Sequence, residues 1–460
     1  MTAVLRRLGG AAASHTYRRG SARHQNRTRP GLASWPAPAT TGSLKGKGSM
    51  PRTDNRSQLG RDYLWNTSSS LMTSLSTVVM LLVVTRVVGI EAAGVYSLAL
   101  AVGQQFQTLG MYEVRAFHVT DVKNRFAFSA YHATRIVTVL LMILGILGYS
   151  AWSGGNVANI VLVFLVASLR VFDAYEDVFY CEFQRVGRLD VGARASFIRT
   201  LTTTTVFCVA LVMGASLLLS VLVTLCISVA MMLAVFLPPA RGVFSTMPRW
   251  NLRDIGLVLI ECLPLFLASF VAMYLANAPR FAIDRYLDSE RQGYFAILFM
   301  PAVTINLFAL VVFRPLLTRM AGLWISSDRT GFLTLVKRGL LSTLGAFVVV
   351  GAITYLIGVP LLGLVFDKDI SEYRSELIVL VAGGAMNSAG VILYYALTTM
   401  RLQRFVFVGY AVTACSITVL CLVLVPPFAL MGASVAYVGA MLILTSVFAA
   451  ILYRGLRSRP

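Results

Sequence analysis

The sequence predicts an all-α polytopic membrane protein, with about twelve transmembrane helices in two six-helix lobes that form a parallel repeat around a central cavity. Three observations predict it. Of 460 residues, 57% are hydrophobic and only 13% are charged, about half the charged share of a soluble domain. The apolar residues fall in long runs of bilayer length. A short charged pattern also recurs at a fixed offset between the two halves. This composition excludes an ordinary soluble enzyme, a disordered chain and a disulfide scaffold.

A hydrocarbon core needs about 20 apolar residues per helix, and backbone groups in lipid must bond within their own segment, so each spanning run is helical. Twelve runs qualify, at 64–88, 93–112, 128–150, 157–180, 191–213, 216–236, 255–276, 293–313, 338–357, 376–396, 405–425 and 429–453. They divide the chain into a tail (1–61), a first lobe (62–236), a second lobe (255–453) and a short end piece (454–460). Six helices per half is an even number, so both lobes start from the same side.

The net charge of +20 is unevenly placed. Twelve basic residues precede position 62, opposed only by Asp54 and Asp62. That stretch is rich in Ser, Thr, Gly and Pro, carries no apolar period, and is expected to be disordered. Its Arg-rich, acid-poor make-up also resembles a mitochondrial transit peptide. A further reading takes Met50 as the true start. Beyond residue 61, 21 basic residues fall in the segments on the N-terminal side of the membrane or in the span ends that adjoin them. Five (Arg280, Arg285, Arg291, Lys368 and Arg374) fall on the other side. The positive-inside rule therefore puts both termini in the cytoplasm of a multi-pass protein of the cell membrane.

The recurring pattern joins Arg86, Glu91, Gly94 and Tyr96 to Arg285, Glu290, Gly293 and Phe295, at an offset of 199 residues. Both copies close an odd-numbered span. Two halves of equal orientation imply a parallel repeat with a transport path between them. Arg86 and Arg285 are expected to fix these turns.

The first copy, Thr85-Arg86-Val87-Val88-Gly89 followed by Glu91, Gly94 and Tyr96, resembles the first external turn of polysaccharide-biosynthesis flippases. These belong to the multidrug/oligosaccharidyl-lipid/polysaccharide exporter superfamily. Phe183-Gln184 with Gly187-Arg188-Leu189-Asp190, Pro264-Leu265-Phe266, Ala278-Pro279-Arg280 with Ile283-Asp284, and Arg314-Pro315 extend the resemblance over residues 62–460. The resemblance implies movement of an undecaprenyl-diphosphate-linked oligosaccharide repeat unit from the inner to the outer leaflet, for O-antigen, capsule or exopolysaccharide synthesis. It also implies work beside a polysaccharide polymerase and glycosyltransferases. Twelve helices fit that branch, whereas lipid II flippases typically have fourteen. The cavity arginines of lipid II flippases have no clear counterparts here.

Span four holds Arg170, Asp173, Glu176 and Asp177 in an otherwise apolar run. Arg170, Asp173 and Asp177 share one helical face. Charges at bilayer depth turn inward and pair. Two readings follow: a cavity wall where Arg170 meets an anionic substrate, or an ion network locking span four to a neighbour such as Arg135 or Arg199. In span seven, Glu261 precedes Pro264 by three residues; a buried carboxylate there suits proton or cation coupling, or a bond to a neighbouring helix. Pro264 and Pro301 interrupt spans seven and eight and mark a hinge. Gln104, Asn306 and Asn387 are amides able to meet sugar hydroxyls, or to bond between helices.

No P-loop, metal-ligand set or Cys-x-x-Cys pair is present in the sequence, so no cofactor and no metal are expected. The basic tail beside a membrane meets anionic lipid more simply than nucleic acid. Two rivals stand beside the flippase: a cation-coupled multidrug exporter of the same superfamily, with an apolar, aromatic cavity, and a membrane glycosyltransferase or polymerase. Short connections between the spans favour transport over enzymatic catalysis.

Overall fold

The computed structural model of the chain describes residues 55–121, 125–153, 156–305 and 317–457. The tail up to residue 54, with the Met50 start, and Asn306, Arg314 and Pro315 lie outside the described residues.

The first lobe contains α1 (Asn55–Val87), α2 (Ile90–Met111), a short α3 (Val114–Thr120), α4 (Phe128–Trp152), α5 (Val157–Arg185) and α6 (Leu189–Val212). It ends with α7 (Leu217–Met231), continued through a π-helical turn into α8 (Leu237–Val243). The second lobe contains α9 (Leu252–Tyr286), α10 (Ser289–Leu298), α11 (Leu317–Ile325) and α12 (Arg329–Ile353). A π-helical turn carries α12 into α13 (Val359–Phe366), and α14 (Arg374–Thr399) and α15 (Gln403–Arg457) complete the lobe. Among the described residues, nine helical stretches are long and apolar enough to cross a membrane. The last of them holds two spans, because the backbone reverses at Ala429 (φ 46°, ψ −126°) after Pro426 and Pro427. α2 has 22 residues, about 33 Å at 1.5 Å per residue, enough to span. Its glutamines 104, 105 and 107 dilute its hydropathy. The chain is thus an all-α, multi-pass membrane protein.

Local chemistry sets the helix ends. Side chains of Asn156, Ser216, Asn251, Asp288 and Asp328 accept bonds from the first free backbone N–H groups of the helices they precede, which would otherwise be orphaned. Gly89 (φ 120°) allows the abrupt α1–α2 turn. The largest departure from the sequence expectation is α9, which continues ten residues past 276. Arg280 and Arg285, assigned to an external segment, therefore lie within the helix.

The two lobes repeat one packing scheme. α1 runs along α6 as α9 runs along α15, and α4 packs on α5 as α12 packs on α14. Each lobe has its own core, centred on residues such as Val84, Tyr96 and Phe207 in the first and Phe295, Tyr437 and Phe448 in the second. A third core, with Phe126, Phe179 and Phe236, gathers α3, α4 and α5 against Val258 and Cys262 of α9. The outer surface carries exposed Leu140, Leu144, Leu341, Val348 and Leu422, an apolar face suited to lipid.

The lobes meet where α2 lies against α9 and α10. Here the repeated turns face each other: a Cβ on Gly94 would lie 1.8 Å from the Ser289 carbonyl oxygen, and one on Gly293 would lie 2.3 Å from that of Ile90. Gln105 donates to the Phe270 carbonyl at 3.0 Å, and Tyr112 stacks on Phe266 at 4.3 Å.

Candidate functional site

α5 carries the charged residues, and the structure divides them between two neighbourhoods. Arg170 donates to Asp173 and to Thr77 Oγ1 on α1, both at 3.0 Å. Arg199 of α6 bonds Asp173 and, through Nε, Glu176 at 2.5 Å. Ser196 completes Glu176 at 2.8 Å. One turn on, Asp177 turns to α3 and α4: Arg135 bonds it at 2.7 Å and Arg115 at 3.1 Å. Arg135 also donates to the Gly110 carbonyl at 2.7 Å. Pairing of this kind keeps a charge tolerable inside the membrane.

Arg170 and Asp173 border a cavity of about 50 Å³ inside the first lobe, walled by α1, α2, α5, α6 and α7. Asp177 is not part of its lining, so the three residues sharing a helical face do not share a site. The cavity wall is dominated by hydroxyls, among them Thr73, Thr77, Thr203, Thr204, Thr224 and Ser228. Each of these six donates its proton to a carbonyl three or four residues earlier. They therefore offer lone pairs to the space they line. Tyr96 Oη and Thr200 Oγ1, also in the lining, are buried without a protein partner. The space admits a few waters at roughly 10–15 Å³ each, with acceptors on its wall and two guanidinium groups at its edge.

The other sequence-derived positions are more scattered. Gln104 on α2 and Asn387 on α14 are half-buried and outside this lining. Glu261 is less buried than expected from span seven. It is 21% exposed and forms a two-pronged pair with Arg125, at 2.7 and 3.2 Å, joining α9 to the loop before α4. Pro264 is exposed and Pro301 half-buried. Arg86 reaches the far lobe, donating to the Leu364 and Val365 carbonyls at the end of α13, at 2.5 and 2.7 Å. Glu91, Arg285 and Glu290 are exposed, whereas Gly94 and Gly293 are buried at the seam.

Beside that seam lies a second cavity, of about 270 Å³, lined by Asp284, Asp288, Gln292, Ser153 and Asn159. At the opposite end of the first lobe, His118 on α3 bonds Glu182 at 2.7 Å and stacks on Tyr131 at 4.1 Å. Burial holds its imidazole below the usual histidine range despite the carboxylate. The hydroxyl wall went unmarked in the sequence, and Arg280 read as part of an external segment rather than as a site residue. The signal for the wall was there, in Thr73, Ser76 and Thr77 facing Thr200, Thr203 and Thr204.

No protein-family profile matches the chain, and no curated protein does. Solved structures match it in shape. The lipid II flippase MurJ in an inward closed conformation aligns with a TM-score of 0.65 at 13% identity, over 84% of this chain and 87% of that one. A transporter of the MOP superfamily from Pyrococcus furiosus, described as having a binding pocket of reversed polarity, aligns at 0.54 and 13% identity, over 88% and 96%. An inward-facing multidrug resistance MATE transporter of the same superfamily aligns at 0.53 and 12% identity, over 89% and 97%. At these identities the likeness is one of fold: the chain has the architecture of the MOP-superfamily transporters.

Proposed function

We propose that this chain, built on the MOP-transporter architecture, is a flippase for a polyprenyl-diphosphate-linked oligosaccharide, supplying repeat units for surface polysaccharide synthesis. The observation that carries the reading is the wall of the first-lobe cavity. Hydroxyls and the Arg170 and Arg199 guanidinium groups line it, so the interior of the first lobe carries polar, cationic surface of the kind a sugar diphosphate needs. One of the structures that share the fold, MurJ, is itself described as a lipid II flippase.

A diphosphate and its sugars cannot cross hydrocarbon bare. In this reading the lobes part and rejoin along the α2 seam, the head group passes between them, and the prenyl tail stays in lipid. No covalent step occurs. With both termini in the cytoplasm, the seam turns of Gly94 and Gly293 face outward, and the described state is closed on that side. An inside-negative potential favours anion exit by about 2.3 kcal/mol per charge per 100 mV. A coupling ion is then dispensable. Arg170 and Asp173 contribute the polar wall, with Gln104 and Asn387 as amides for sugar hydroxyls. Polymerase and glycosyltransferases are the expected working partners.

The MATE likenesses favour a second reading, drug export. Deletion of the gene separates the two. Loss of surface polysaccharide, restored by the wild-type chain but not by Arg170→Ala at equal protein level, supports the flippase. Unchanged polysaccharide with heightened drug sensitivity supports the exporter.

A further inference from the structure

The arginines inside the first lobe are all matched. Arg135, Arg170 and Arg199 each sit within 3.0 Å of a carboxylate. Arg280, in α9 of the second lobe, is different. Among the described residues it has no carboxylate within 4.0 Å, and its Nε is buried without a partner. Its one hydrogen bond runs to Asn277 Oδ1 at 3.4 Å, and its guanidinium lies over the Phe299 ring at 5.2 Å. Tyr437, in contact with Phe299 at 5.0 Å, closes the surroundings. A guanidinium offers five donors, and this one uses few of them.

The fold does not require a cation there. By the 199-residue offset the equivalent first-lobe position is Leu81, a buried core residue. A lone charge in this setting is costly, and an apolar side chain serves the same place in the other lobe. The location is also suggestive. Asn277, one turn earlier on the same face, donates across the seam to the Ala101 carbonyl at 3.4 Å. Any parting of the lobes in the flippase reading breaks that bond, which lies one turn from Arg280.

The geometry points to Arg280 as an anion site at the lobe seam, taking a phosphate group through its unused donors, with Asn277 holding the guanidinium in place. The assignment of this phosphate to a transported lipid rests on the flippase reading. The planar fork of arginine matches two phosphate oxygens, and Phe299 beneath it excludes water from one side.

The test is binding to the purified full chain in detergent, with geranylgeranyl diphosphate and inorganic diphosphate as separate probes and geranylgeraniol as control. Wild type is expected to bind the diphosphate probe, with affinity at least tenfold weaker in Arg280→Gln and partly recovered in Arg280→Lys. Gel filtration shows that both variants are folded. Loss in the lipid arm alone assigns a lipid headgroup; loss in both arms assigns any diphosphate. Equal binding by wild type and Arg280→Gln, or no diphosphate binding by wild type, overturns the site. If binding depends on Arg280 but no lipid-linked saccharide moves in reconstituted vesicles, the flippase reading fails and the site stands. Flipping by a chain whose Arg280→Gln variant binds normally gives the converse.

Discussion

Gly94 and Gly293 each lie against the residue that opens the other's helix. A Cβ on Gly94 would meet the Ser289 carbonyl at 1.8 Å, and one on Gly293 would meet the Ile90 carbonyl at 2.3 Å. The same 199-residue offset that relates the glycines relates Ile90 to Ser289. The repeat seen in the sequence is thus a two-fold contact between lobes, with backbone touching backbone where no side chain fits.

Alanine at either glycine forces this seam apart. Overpacking of a tight contact costs about 1–3 kcal/mol, so Gly94→Ala and Gly293→Ala each lower the detergent unfolding temperature by several degrees. The double variant costs less than the sum, because the first substitution has already opened the contact. Additive effects of the two contradict a shared seam.

Arg86 ties the same end through the Leu364 and Val365 carbonyls. Its replacement by Gln removes charge-assisted bonds at an exposed site, so stability changes by less than about 1 kcal/mol. The expected effect is on conformation: a cysteine placed at Leu98, buried beside the seam, becomes more reactive to a soluble maleimide. An unchanged labelling rate rules out a latch.

Arg135 and Asp177 form a buried pair at 2.7 Å, and Arg135 is only 1% exposed. Removing one partner of such a pair costs about 3–5 kcal/mol, whereas replacing both with apolar residues of similar volume is near neutral. Asp177→Ala is therefore strongly destabilising, and Arg135→Met with Asp177→Leu recovers most of the loss. Denaturant unfolding checks this. A double variant as unstable as the single one contradicts the account.

Burial holds His118 neutral in the folded chain. The unfolded imidazole protonates first as pH falls, at its ordinary value near 6.5. Its contribution to stability is present above that pH and is lost as pH drops through the lower folded value. The unfolding temperature of wild type falls over this window, and that of His118→Gln falls less. Parallel curves refute the assignment.

The spans were legible because bilayer thickness fixes the length of an apolar run. Their ends were less so. Arg280, Asp284 and Arg285 read as a loop, yet α9 continues through them, with Arg280 set over the Phe299 ring and Arg285 left exposed. The charge cluster of α5 was legible, as were its partners Arg135 and Arg199. The division of Asp173 from Asp177 was not, since it depends on which neighbouring helix stands on each side of one face. Glu261 read as buried from its apolar flanks alone. Arg125, which meets it, lies 136 residues away, where no local pattern could reveal it.

The most direct measurement of the central claim is translocation in proteoliposomes containing the purified chain and a fluorescent polyprenyl-diphosphate-linked oligosaccharide. Protein-dependent access of the labelled head group to an external quencher, abolished by Arg170→Gln at equal incorporation, is the predicted result. Translocation no faster than in protein-free vesicles, with or without a membrane potential, would contradict it.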